Sequence, residues 1–222
     1  MSAARITKRQ MKEDTFVSTT IRAWEYVREH EKLLFIGLVA IVCAAAIVGW
    51  AIHTKKQTQI RASNEFADAL ASFRTGDLKT AGELFARIAQ EYGNVEEGAF
   101  SSYFEGKCAL ETGKYNEAIQ AFDRYLSKSG RYPFFHDAAV EGKAVALEDE
   151  QKYEEAGDTY VELAKHMESN TFMEATYLRR AAADYRLSNQ TEKAIQVLGM
   201  LLDKTKGMER RDIEVELAIL RG

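Results

Sequence analysis

Proline is nearly missing from this chain: Pro133 is the only one in 222 residues. Proline removes a backbone donor and clashes with the preceding turn, so its scarcity leaves long stretches free to be helical. Cysteine is almost as rare. Cys43 lies in an apolar run and Cys108 in an expected helix, and two such thiols make no disulfide framework. Glycine and serine do not cluster, so no flexible linker stands out. A basic stripe is missing too. The net charge of −4 divides into +2 over residues 1–53 and −6 over the remainder, a balance that argues against a nucleic-acid partner.

The motifs of catalysis are also absent. No G-x-S-x-G, Walker loop or G-x-G-x-x-G occurs, and the four histidines, His30, His53, His136 and His166, fall in no ligand spacing. His136–Asp137 reads as a helix-start cap at the surface. The acidic run Glu148–Asp149–Glu150 reads as a solvated helix end. Tyr103, Phe104 and Tyr177 fall at helical spacing and read as core. No catalytic residue, cofactor or metal is expected.

What is present begins with Leu33–Ile52, a run of 20 residues without a charge. At ~1.5 Å rise per residue, twenty residues span roughly 30 Å, the hydrocarbon thickness of a bilayer. A buried helix of a small domain keeps a polar stripe, and this run has none. Ala44 and Ala46 form the A-x-A pattern of a cleaved export signal. Against cleavage, the preceding segment is long and carries both charge signs, and the apolar run continues through Ile47, Val48, Trp50 and Ile52. Val42 ahead of Cys43 does not suit a lipoprotein site. An uncleaved anchor is expected, with Trp50 at an interface. Seven Lys/Arg precede the span, which favours a cytoplasmic N-terminus. Ahead of it, Phe16, Thr20, Ile21, Trp24 and Val27 recur at helical spacing and predict an amphipathic helix.

Beyond the span the sequence repeats. GDLKTAGELF, GKYNEAIQAF, QKYEEAGDTY and NQTEKAIQVL share one pattern, and their third residues Leu78, Tyr115, Tyr153 and Thr191 fall 37, 38 and 38 residues apart. A period of 20–50 residues marks a stacked solenoid. Gly76, Gly113, Gln151 and Asn189 take the tight turn between two antiparallel helices. Ala81, Ala118, Ala156 and Ala194 take the helix crossing, where a small side chain permits close approach. Phe85, Phe122, Tyr160 and Leu198, four residues later on the same face, fill the seam.

The segment Gly106–Phe122, GKCALETGKYNEAIQAF, resembles the tetratricopeptide repeat consensus, and the resemblance extends over about Arg61–Asp203. The period is a few residues longer than the usual ~34, implying longer loops such as Lys128–Phe134. Glu105 and Lys143 stand where the consensus has a large apolar residue. The resemblance implies an all-α fold: one N-terminal transmembrane helix, then an α-solenoid of about four helical hairpins. The expected boundaries are 1–32 for the N-terminal segment, 33–52 for the span and 53–222 for the repeats. The units fall at about 61–93, 98–130, 134–168 and 172–205, with a capping helix at about 209–221. The architecture, with Gly49–Trp50 near the end of the span, is similar to the YfgM-type ancillary subunits of the bacterial Sec translocon. That resemblance implies protein partners: translocon components or exported clients, at the bacterial inner membrane, with the repeats outside the cytoplasm. An envelope-assembly scaffold shares every feature. In such solenoids the first helix of each hairpin lines a concave groove. On one register this places Phe66, Leu70 and Phe73 there from unit one, and Tyr103, Lys107 and Glu111 from unit two. Glu141, Val145 and Glu148 follow from unit three, and Arg179 and Arg186 from unit four, the two arginines suited to an acidic stretch.

Overall fold

The computed structural model of the chain describes Trp24 and residues 28–167 and 170–222. The expected amphipathic lead-in, Trp24 apart, lies outside those residues. Nine α-helices are described: α1 (Glu31–Arg74), α2 (Leu78–Glu91), α3 (Glu96–Glu111), α4 (Tyr115–Leu126), α5 (His136–Asp149), α6 (Tyr153–His166), α7 (Thr171–Leu187), α8 (Thr191–Leu202) and α9 (Gly207–Arg221). A 3-10 turn, Pro133–Phe135, precedes α5. Among the described residues no strand occurs.

The chain divides into two units, residues 1–57 and 58–222. In the first, the apolar stretch of α1 is long and apolar enough to cross a membrane, and none of it is buried. Leu33, Phe35, Ile36, Ile41, Ile47, Trp50 and Ile52 are all exposed. A signal sequence near an N-terminus has the same character.

In the second unit, successive helices pair into hairpins, and the turns inside the hairpins share one construction. Gly76, Gly113, Gln151 and Asn189 have φ of +82°, +74°, +59° and +59°. In each turn the N–H of the following residue reaches back five residues to a helix carbonyl: Asp77 to Ser72, Lys114 to Ala109, Lys152 to Leu147 and Gln190 to Tyr185. The left-handed residue itself donates three residues back. This is the Schellman arrangement, which satisfies carbonyls orphaned at a helix end while reversing the chain. Asp77 also caps α2 by accepting from Thr80 N–H at 3.1 Å, and these hydrogen bonds hold its carboxyl below the ordinary value.

The second helices α2, α4, α6 and α8 carry the repeating seam. Ala81, Ala118, Ala156 and Ala194 are fully buried, as are Phe85, Phe122 and Tyr160, with Leu198 nearly so. Their packing requires close approach. A Cβ on Gly106 of α3 or on Gly142 of α5 would come within 2.8 Å or 2.6 Å of the Phe122 ring. The ring therefore fills space against both first helices. A Cβ on Gly157 would likewise come within 2.8 Å of the Tyr185 ring. Complete burial of a phenylalanine contributes roughly 1.5–3 kcal/mol, and contacts with no slack add to it.

Three core clusters follow one another along the repeats. The first two are aromatic: Phe85 stacks on Phe104 at 5.2 Å and Tyr103 on Phe135 at 4.4 Å. The buried Tyr125 hydroxyl donates to Tyr132 O at 2.6 Å and accepts from Phe135 N–H at 2.8 Å. One side chain thereby fixes the loop around Pro133. The last cluster joins Tyr160, Tyr177 and Tyr185 to aliphatic side chains and ends on Ile213 and Leu217 of α9.

Candidate functional site

The expected groove residues divide by environment. Phe66, Leu70 and Phe73 of α1 pack against the first core cluster, with Phe66 and Phe73 each in contact with the rings of Phe85 and Phe104. Tyr103 is buried against Phe135. These side chains form core instead of an open lining.

The charged positions follow a second rule. Four of them interact with a later helix. Glu148 of α5 accepts from Arg180 of α7 at 2.9 Å. Burial, then the charge of Glu141, raise the Tyr177 hydroxyl of α7 to about 12. Arg179 pairs with Glu209 of α9, and Arg186 pairs with Glu216 of α9 at 2.6 Å. The two arginines, expected to hold a partner's acidic stretch, hold two carboxylates of the chain's own last helix. Half-buried Lys107 and Val145 and exposed Glu111 remain at the surface of the first helices.

The seam between α5 and α7 contains a polar cluster that the sequence reading missed. Glu148 also accepts from the Tyr160 hydroxyl at 3.1 Å, and the Arg180 guanidinium lies 4.7 Å above the Tyr160 ring. Burial, then the Glu148 charge, push the Tyr160 hydroxyl far up. Beside them Asp184 is 2% exposed, and its Oδ2 has no hydrogen-bond partner. Burial and the charge of Glu148 raise its carboxyl to about 7, against the opposing pull of Arg180. Arg180 adjoins Arg179 and Asp184 adjoins Tyr185 on α7. A carboxylate amid an apolar helix face was the available signal.

A cleft of about 360 Å³ lies among α2, α3 and α4 and is lined by Gly82, Glu105, Cys108, Thr112, Lys114 and Glu117. Burial raises the Cys108 thiol to about 11, which keeps it protonated and unreactive at neutral pH. Beneath the open end of the third hairpin, His136, Asp137 and His166 come together.

The sequence profile of the tetratricopeptide repeat-like domain matches residues 25–157. The chain belongs to that family. Its repeats also resemble, in solved structures, those of a candidate kinesin light chain of Podosopora anserina with nearly identical TPR-like repeats. That likeness has a TM-score of 0.51 at 16% identity and covers 72% of this chain and 85% of the other. A variant of the same protein gives a TM-score of 0.51 at 15% identity, covering 72% and 84%. At these identities the likeness shows the fold. No curated protein sequence matches the chain. Tetratricopeptide-like repeats are interaction scaffolds, and nothing found indicates an enzyme family. The fold therefore supports a protein–protein interaction module.

Proposed function

We propose that this tetratricopeptide repeat-like chain is a membrane-anchored scaffold that binds other proteins, acting beside a translocon or on newly exported clients. The observation that carries the anchor is the uncharged stretch Leu33–Ile52, whose described side chains are exposed. Water is a poor solvent for so long an apolar surface, and lipid is a good one. The excess of Lys/Arg ahead of the span favours a cytoplasmic N-terminus, with the repeats outside the cytoplasm at a bacterial inner membrane. The similarity of architecture to the YfgM-type translocon subunits supports the choice of partner. The groove formed by the first helices is the proposed contact, at Lys107, Glu111 and Val145. Glu141 and Glu148, although engaged in the seam, add charge there.

The anchor is tested by alkaline carbonate extraction of membranes, followed by determination of the N-terminus. The expected result is a pelleted chain that retains its first residues. A soluble mature chain beginning near Ile47, just past the A-x-A pattern of Ala44 and Ala46, would replace the anchor with a cleaved signal. Co-purification separates the partner readings: translocon components support the first, and outer-envelope machinery supports an assembly scaffold.

A further inference from the structure

We propose that His136, Asp137 and His166 form a binding site for a late first-row divalent metal, with zinc as the representative ion, that clips together the open end of the third hairpin. His136 and Asp137 open α5, and His166 closes α6. The antiparallel course of the two helices is what brings residues so distant in sequence to one end of the hairpin.

The geometry is convergent. Asp137 Oδ1 lies 2.9 Å from His136 Nδ1 and 3.3 Å from His166 Nδ1. The two imidazoles stack with centroids 5.0 Å apart and planes 24° from parallel. One donor atom from each residue lies within 4.8 Å of the others. A tetrahedral ion with bonds of ~2.0–2.2 Å holds its donors roughly 3.3–3.5 Å apart. The separations to Asp137 are already near that value, and the three donor atoms all lie within 4.8 Å of one another.

The donor chemistry selects the metal. Two imidazoles and one carboxylate suit zinc, copper, nickel or cobalt, whereas magnesium and calcium want oxygen donors throughout. The side chains are partly exposed, at 26% for His136, 46% for Asp137 and 47% for His166, so an ion has a path in and water can complete its shell. Glu141 follows Asp137 by one helical turn and adds negative charge on the same face of α5. Two histidines that merely donate to one carboxylate give the same resting geometry. They differ in their response to metal.

The test uses the tag-free full-length chain in detergent micelles at neutral pH, titrated with Co²⁺ and then Zn²⁺. The expected result is visible Co²⁺ bands saturating at one equivalent per chain and abolished by Zn²⁺. His166→Ala and Asp137→Asn should each weaken Co²⁺ binding by about tenfold or more, a loss in the range that supporting residues of metal sites show. His30→Ala with His53→Ala should leave it unchanged. Zinc should raise the thermal midpoint of the wild type and not of His166→Ala, as binding to the folded state alone requires. Circular dichroism of the metal-free variants confirms that they are folded. Absence of Co²⁺ bands at ~100 µM metal, or bands that persist in both His166→Ala and Asp137→Asn, would overturn the site.

Discussion

Gln151 and Asn189 hold left-handed turn positions, each at φ +59°, where two sister turns have glycine. An L side chain there costs roughly 1–2 kcal/mol, and asparagine tolerates the position better than glutamine. Gln151→Gly is therefore expected to stabilise the repeats by about 0.5–1 kcal/mol after the added entropy of the unfolded chain is subtracted, and Asn189→Gly by only a few tenths. Urea unfolding of the two variants measures the difference. These turn residues were legible because the turn demands a chemistry that few side chains supply. Glu105 and Lys143 were legible only as departures from the repeat consensus. Their meaning lies in α4, where Arg124 pairs with Glu105 and Asp123 with Lys143 at 2.7 Å. Two adjacent residues of one helix answer the two charges of its neighbours, a compensation that no local pattern shows. Asp184 sets the sharpest pH dependence. With its carboxyl raised to about 7, the folded state keeps a proton between about pH 4 and 7 that the unfolded chain has released. Its contribution to stability therefore falls as pH rises through that window. Asp184→Asn should match the wild type near pH 4 and exceed it above pH 7, by up to about 4 kcal/mol. Thermal melts across pH should show the two curves diverging upward in pH. A constant offset would refute the assignment.

At the scale of elements, the last helix illustrates which interactions hold the solenoid. α9 is tied by Arg179–Glu209 and Arg186–Glu216, whose side chains are about one-third to one-half exposed, and by buried Ile213 and Leu217. Exposed ion pairs contribute about 0–1 kcal/mol, whereas truncating a buried leucine costs about 2–5 kcal/mol. Leu217→Ala is thus expected to lower stability several times more than Arg186→Ala, in denaturant titration. The repeat period gave the hairpins and the residues of the seam, since Ala118, Phe122 and their counterparts report one buried stripe on each second helix. It was less informative about the first helices. α3 and α5 pack on their own partners and also on one another, so their buried residues spread around the helix and leave no clean stripe. Tyr103, Glu141 and Arg179 share a register position and all turn to the next unit. The period placed them together without saying which way they face. His166 was out of reach for a different reason: its approach to Asp137 is a contact across a hairpin, set by the lengths of α5 and α6.

At the scale of the molecule, two physical demands meet in one sequence. A stretch without charge asks for lipid or for removal, and the repeat array, in the proposed reading, takes a protein partner along its first helices. Stacked repeats fix the residues of the inner seams, which here include most of the residues first assigned to the groove. Lys107, Glu111 and Val145 are what the array leaves at that surface. Apolar contact at Val145 and the mixed charge around it suit an extended protein segment, with charge placement supplying selectivity. The most direct measurement is site-specific photocrosslinking in intact membranes, with photoreactive residues placed at Lys107, Glu111 and Val145 and controls at the exposed Gln120 and Glu162 of the second helices. A membrane-anchored scaffold with this binding face predicts translocon subunits or exported proteins captured from the first three sites and little from the controls. Equal capture from both sets, or capture that survives only in a soluble chain released from the membrane, would contradict it.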